Sequence, residues 1–398
     1  MADYSWEDGS GMVQLVEKFV SLRPPVEDRV SMLLAQIPSR LRYRNYFYKL
    51  VDPRGQWSAV EQILRMVARG EDHLDQTTFL VFPEVSVPFE HKDDFLAIIE
   101  KDFRPNSVTI AGFEHITLRQ YWQLLAEYDV HNAEAHRQLL ESGDRAEVDR
   151  PVNWCLVAVK DDHGDLRCFV EAKTHPFFGE EFLDQPRDLY RGQVLYLFRS
   201  QLAPLSFIVL ICLDYIYRDR HGSNILTIIR KANEIYYRER QPLDLLFVIQ
   251  CNPKPEHQVF RDTAVGFYGE HLISTPGVKT ATTILLNASG ETEVDGVAET
   301  QAGFGHSAVL VHKARRLPAT SVAEYSTDEP GEGPVSRLRF GRETRLYHLD
   351  LSRFHERDPR TSRSPLKILS VHGMQHGRWR KLEGEEIISG ASTREELD

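Results

Sequence analysis

Sulfur is scarce in this sequence, with four Cys and five Met among 398 residues. Cys155, Cys168, Cys212 and Cys251 lie far apart, with no CxxC pair, which argues against a zinc ribbon and against a disulfide framework. A reducing, cytoplasmic setting is the expectation. Long apolar runs are also missing. PLSFIVLICL (204–213) is much shorter than the ~20 residues a membrane helix needs. The start, MADYSWEDGSG, is acidic where an export signal needs a basic and then an apolar region, so neither export nor a membrane partner is expected. No GxxxxGK[ST] phosphate loop occurs. His131, His136, His163 and His175 sit on separate segments without the i, i+4 pairing of a helical zinc motif, and no metal is expected.

Positive charge is in deficit too. The formal net charge is −11, which disfavours nucleic acid as the main partner. The deficit is uneven, because residues 337–381 hold twelve Lys/Arg against four Asp/Glu. Such a stretch is either a solvated face held against an acidic body or an arm for an acidic partner. Its arginines alternate with few aromatics, which is poor material for stacking on bases.

What is present fits an ordinary globular chain, 41% hydrophobic and 27% charged. Apolar runs at 28–38, 77–83, 107–112, 206–212, 244–250, 282–287 and 307–312 read as buried strands, and 57–68 and 224–238 have helical spacing. The segment 153–173 reads as an antiparallel hairpin turning on Asp162-His163-Gly164-Asp165. Residues 121–150 read as a helix followed by an exposed insertion. Near-continuous apolar strands alternating with helices imply an α/β fold with a largely parallel or mixed sheet. The expected organisation is an N-terminal helical extension over 1–27, a central domain over 28–355 and a basic C-terminal extension over 356–398.

Three polar residues stand just past the ends of apolar strands: Glu84 after LVFP, Lys173 after RCFVEA and Cys212 after FIVLI. Ligands of α/β sheets gather outside the carboxyl ends of the strands, where three such residues can converge. A carboxylate, an ammonium and a thiol are what acyl transfer through a thioester requires: a base, an oxyanion partner and a nucleophile. Each residue alone has a plainer reading. Glu84 could cap a helix beginning near His91, Lys173 could be a solvated strand end, and a free Cys such as Cys212 usually packs as a small hydrophobe.

VFPE (81–84), EAKTHPF (171–177) and VLICLD (209–214) resemble, in order, the three motifs of the nitrilase, or carbon-nitrogen hydrolase, superfamily. Asn153 before the lysine strand, NASG (287–290), FGHSAVLVH (304–312) and YHLDLSRF (347–354) are similar to further family features. The likeness covers about residues 28–355. It implies a four-layer αββα sandwich, with no metal or organic cofactor. It implies Cys212 as nucleophile, Glu84 as general base and then acid, Lys173 as the cation facing the oxyanion, and the Leu213 backbone N–H as second oxyanion donor. A further family glutamate after the lysine corresponds to Glu180 or Glu181, with Glu181 preferred. The implied activity is hydrolysis of a non-peptide carbon-nitrogen bond, an amide, in a small-molecule substrate, by a homodimer or larger homo-oligomer. The alternatives are a noncatalytic or regulatory binding module of this fold, and an N-acyltransferase in which an amine replaces water. Two departures stand out: Leu213-Asp214 followed by YIYRD, where the family has an aromatic residue and then an Arg-bearing segment, and NPK (252–254), which places Asn252 and Lys254 near the pocket mouth.

Overall fold

The computed structural model describes residues 13–24, 29–44, 47–128, 149–176, 189–218, 223–255, 258–269, 275–295, 303–312, 321–322, 325–327, 335–352 and 366–383. Its strands form two large sheets and one small one. The eight-stranded sheet runs in the order β20 (Arg378–Lys381), β19 (Leu366–Gln375), β18 (Arg345–Ser352), β2 (Arg29–Gln36), β5 (Phe79–Val81), β6 (Ser107–Thr117), β7 (Pro151–Lys160), β8 (Leu166–Ala172). Pairings β2–β5 and β5–β6 are parallel and the others antiparallel. The nine-stranded sheet runs β1 (Gln14–Val20), β9 (Val194–Ser200), β10 (Ser206–Ile211), β11 (Leu245–Gln250), β12 (Thr282–Asn287), β14 (Ala308–His312), β17 (Val335–Phe340), β16 (Tyr325–Thr327), β15 (Ser321–Val322). In it β10, β11 and β12 are mutually parallel, as are β1 and β9. The small sheet is β13 (Glu293–Val294), β3 (Arg40–Arg44) and β4 (Phe47–Leu50).

Strand periodicity explains the packing. Successive side chains point to opposite faces, so a strand apolar at every position must be covered on both sides. Met32 and Leu34 of β2 join Phe79, Ile110 and Val157 in one cluster with Phe198, Phe207, Phe247 and Ile284 of the other sheet. An edge contact from Phe79 to Phe207 at 5.1 Å and a tilted one to Phe247 at 5.0 Å between centroids bind the two sheets together. The intervening residues, such as Leu33, Leu80 and Ala111, face the other way. They pack with Val60, Ile63 and Leu64 of α1 (Pro53–Arg69), Phe95 and Ile99 of α2 (Lys92–Asp102) and Tyr121 and Leu124 of α3 (Leu118–Tyr128). On the far side of the nine-stranded sheet, Leu210, Leu246 and Val248 pack with Ile225, Ile228 and Ile235 of α4 (Asn224–Glu239) and Phe260 and Phe267 of α5 (Gln258–Gly269). α1 shows how local chemistry sets an element: the Asp52 carboxylate accepts the Gly55 N–H, Pro53 opens the first turn, and Gly70 closes the helix at φ 68°.

Two expectations need correction. Of the N-terminal stretch over 1–27 expected to be helical, residues 14–20 are the strand β1, paired in parallel with β9, while 1–12 and 25–27 lie outside the described residues. Leu15 packs toward the helices while Val16 packs between the sheets, and a strand with apolar side chains on both faces shares with a helix the irregular apolar spacing seen here. Arg199 of β9 holds it in place: its guanidinium is buried and pairs with Glu17 of β1 at 2.7 Å and with Glu239 of α4. The basic segment after 355, read as lying outside the domain, contributes β19 and β20 to the eight-stranded sheet. In β20, Trp379 is buried while Arg378, Arg380 and Lys381 are exposed, an alternation that the run of charges conceals in the sequence. Of the 121–150 segment, the helix is present to Tyr128, and 129–148 lies outside the described residues. Among the described residues no helix is long and apolar enough to cross a membrane.

Truncation after Phe354 removes Leu366, Val371, Trp379 and Leu382, all buried. At ~1.5–3 kcal/mol for each large apolar side chain, the loss is comparable with the ~5–15 kcal/mol that stabilises a typical domain. The truncated chain is expected to be unfolded or to melt far below the full chain in thermal circular dichroism; an unchanged Tm would mean that these strands do not belong to the fold.

Candidate active site

Glu84 stands three residues beyond β5 and is 4% exposed. It reaches this position because β6 presents Gly112 opposite it: a Cβ there would lie 2.5 Å from the Glu84 Cα. Three donors meet its carboxylate. Asn153 Nδ2, on β7, donates to Oε1 at 2.7 Å, Lys173 Nζ donates to the same oxygen at 3.0 Å, and the Cys251 backbone N–H donates to Oε2 at 2.8 Å. Lys173 follows β8 and is 1% exposed. Its backbone is fixed on both sides, the N–H by the Asn153 carbonyl and the carbonyl by the Gly192 N–H, each at 2.8 Å. The helix-cap and solvated-end readings of these two residues therefore give way to a buried ion pair. The turn at Phe89–His91 instead precedes α2, with His91 at its N-cap.

Cys212 follows β10 on the facing sheet and opens a single turn, Cys212–Tyr215. Its φ is 49°, in the left-handed region, a conformation that costs a non-glycine residue roughly 1–2 kcal/mol. Asp214 holds the turn. Its Oδ2 accepts the Ile211 N–H at 3.4 Å, while Oδ1 accepts the Thr174 N–H, the Thr174 hydroxyl and the His175 N–H at 2.8–2.9 Å. Thus one buried carboxylate joins the segment after Lys173 to the turn after Cys212. Asn224, at the start of α4, adds bonds to Thr174 Oγ1 and the Asp214 carbonyl, and the His175 ring stacks on Tyr217 at 3.8 Å.

Glu84, Asn153, Lys173, Cys212 and Leu213 line one cavity of about 290 Å³. The rest of its wall includes Leu41, Tyr48, Val85, His115, Cys251 and Val294, together with Asn252, Lys254, Phe260 and Phe304. The structure thus brings Glu84, Lys173, Cys212 and Leu213 to one place, with Asn252 and Lys254 in the same wall. Glu180 and Glu181 lie outside the described residues. Sequence reasoning gave no role to Asn153 or Asp214 and overlooked the Cys251 N–H. The two side chains stand beside the recognised strand ends, whereas a backbone donor leaves no trace in residue type. Among the described residues no group of three His, Cys, Asp or Glu is placed to hold a metal ion.

The four thiols differ in setting. Cys155 is fully buried, and burial, followed by the Glu171 and Asp214 carboxylates, pushes its thiol well above the ordinary value. Burial pushes Cys168 up to about 12. Cys212 and Cys251 line the cavity.

No protein-family model matches this chain, and no curated protein matches it. Among solved structures, it is similar to a CN-hydrolase superfamily protein from Xanthomonas campestris whose crystal structure carries an arsenic adduct in the active site. The identity is 15% over 71% of this chain and 83% of that one, with a TM-score of 0.41.

Only thiolates alkylate, and a thiol with a pKa of about 12 is ionised to only about one part in ten thousand at pH 8. Brief treatment of the native protein with iodoacetamide at that pH is expected to modify Cys212 or Cys251 while sparing Cys155 and Cys168, as read by peptide mass mapping. Equal labelling of all four would contradict this arrangement.

Proposed function

We propose that the protein is a cysteine hydrolase of the nitrilase, or CN-hydrolase, type, which cleaves the carbon-nitrogen bond of a non-peptide amide through a thioester. The observation that carries this reading is the convergence of Glu84, Lys173 and Cys212 on one cavity, with the carboxylate and ammonium already paired at 3.0 Å. Three large apolar clusters, one between the large sheets and one under each set of helices, support assigning the fold as the four-layer αββα sandwich of that family.

The steps follow from the groups present. Glu84 takes the Cys212 Sγ proton, and the thiolate attacks the amide carbon. A carbon–sulfur bond forms and the carbonyl π pair moves to oxygen, giving an oxyanion that Lys173 Nζ and the Leu213 N–H stabilise. When the oxyanion collapses, the carbon–nitrogen bond breaks and nitrogen takes the proton from Glu84, leaving as ammonia or an amine. Water then gives a proton to Glu84 and attacks the thioester. The second oxyanion collapses with cleavage of the carbon–sulfur bond, and the acid leaves as Cys212 recovers its proton. Asn153 and the Cys251 N–H keep the carboxylate oriented through both halves. Glu181 is assigned to positioning substrate or lysine, and water to the role of acceptor. Self-association through the helical side bearing the exposed Tyr237, Val259 and Val265 belongs to the same proposal.

Ammonia release from a panel of simple carboxamides is the assay. Cys212→Ala is expected to abolish turnover with the circular dichroism spectrum unchanged, and Glu84→Gln to reduce it by about a hundredfold to ten-thousandfold, the usual contribution of general acid-base catalysis. Undiminished turnover in Cys212→Ala would refute the mechanism. Added hydroxylamine separates the acceptors: hydroxamate formed in place of nearly all the acid, at concentrations far below that of water, would replace the hydrolase reading with an acyltransferase.

A further inference from the structure

The small sheet β13-β3-β4 is two-faced. Residues 40–44, RLRYR, send Arg40, Arg42 and Arg44 to solvent, where Arg40 pairs with Glu293 at 2.9 Å and Arg42 with Asp295 at 3.3 Å. The opposite face carries Leu41, paired in register with Leu50 on one side and Val294 on the other. Leu41 and Leu50 pack with Val85, next to Glu84, and with Tyr48, Cys251 and Val294. The sheet is anchored at several points. Ser39 donates through Oγ to the Val85 carbonyl at 3.1 Å, the Leu50 N–H donates to Glu114 at 3.3 Å, and the Glu293 N–H donates to the Ser39 carbonyl at 3.1 Å. One strand from each part of this sheet therefore presents a side chain to the cavity: Leu41 from β3, Tyr48 from β4 and Val294 from β13.

Resting on the amide-hydrolase reading, we infer that the inner face of this sheet is the acyl-binding wall, and that the substrate is an amide whose acyl part is uncharged and carries one aromatic ring or a branched alkyl group. Three features carry this. Leu41, Tyr48, Val85 and Val294 line the cavity as one packed group, with the His115 ring edge-on to Tyr48 at 5.4 Å, and the buried Phe260 and Phe304 add further apolar surface. The volume of about 290 Å³ is roughly twice the ~150 Å³ of a dry apolar cavity that accepts benzene, which leaves room for one ring plus the amide. Among the described residues, Glu84 is the single carboxylate in the lining, and it is already engaged by Lys173, so a cationic acyl group finds no counter-charge there. Lys254 lines the cavity too, but it is an exposed residue and not part of the buried wall.

The test uses aldehydes, which add to the thiol: a carbon–sulfur bond forms, the carbonyl π pair goes to oxygen, and the oxygen takes the thiol proton. The hydrocarbon part then occupies the acyl position. In the full-length protein, protection of Cys212 from iodoacetamide is measured by peptide mass spectrometry with phenylacetaldehyde and with acetaldehyde. Phenylacetaldehyde is expected to protect at a concentration at least about tenfold lower, as befits burial of one ring. In Leu41→Trp, and separately in Val294→Phe, which fill the wall from two different strands, that advantage is expected to fall to about twofold or less. Equal protection by the two aldehydes, or an advantage that persists in both variants, overturns the acyl wall while leaving the nucleophile in place. Failure of iodoacetamide to modify Cys212 while Cys251 reacts, or protection by neither aldehyde, overturns the hydrolase reading and the wall together.

Discussion

A carboxylate and an ammonium, both almost wholly removed from water, face each other at the ends of two strands, and the surrounding structure has to make that tolerable. An isolated buried charge costs several kcal/mol, and an ion pair offsets this only when its remaining hydrogen-bonding capacity is met. Glu84 satisfies the condition with Lys173, Asn153 and the Cys251 N–H. Strand order makes the meeting feasible. β5, β6 and β8 point the same way and β7 runs against them, so the carboxyl ends of β5 and β8 and the start of β7 all lie at one edge of the sheet. Two strands separate Glu84 from Lys173 there, and Asn153 on β7 stands between them. The Cys251 N–H comes from the end of β11 in the facing sheet, so the carboxylate also links the two layers.

Cys212, the proposed nucleophile, is held by a separate device on that second sheet. Backbone in the left-handed region persists at a non-glycine residue only where its surroundings over-determine it. Asp214 supplies this by accepting donors from both the Ile211–Asp214 turn and the Thr174–His175 segment. Moving Cys212 would therefore disturb the segment next to Lys173, and the two sides of the cavity are positioned as one unit. Such mutual fixing suits chemistry in which a thiolate, a base and an oxyanion partner have to be aligned before substrate arrives.

Much of this was legible in the chain because both faces of the central strands are covered: runs such as FIVLI and DLLFVIQ have no room for polar residues until the strand ends, so Glu84, Lys173 and Cys212 stand out where they do. What was hidden had physical reasons. β1 reads as a helix because its apolar residues serve two different cores. RWRK in β20 reads as part of a basic surface stretch because the charged residues mask the buried Trp379 between them. The Cys251 contribution is a backbone N–H, which any residue but proline could supply, and Asn153 and Asp214 gain meaning only from partners 69 and 40 residues away along the chain.

The proposed mechanism requires Cys212 to carry an acyl group during turnover. Rapid acid quenching during reaction with a carboxamide that the protein turns over, followed by intact-mass and peptide analysis, measures that directly. An adduct of the acyl mass on Cys212, absent from Cys212→Ala and accumulating when deacylation is slowed, is the predicted result. Turnover in progress with Cys212 unmodified at every time point, or with the acyl group found on another residue, would contradict it.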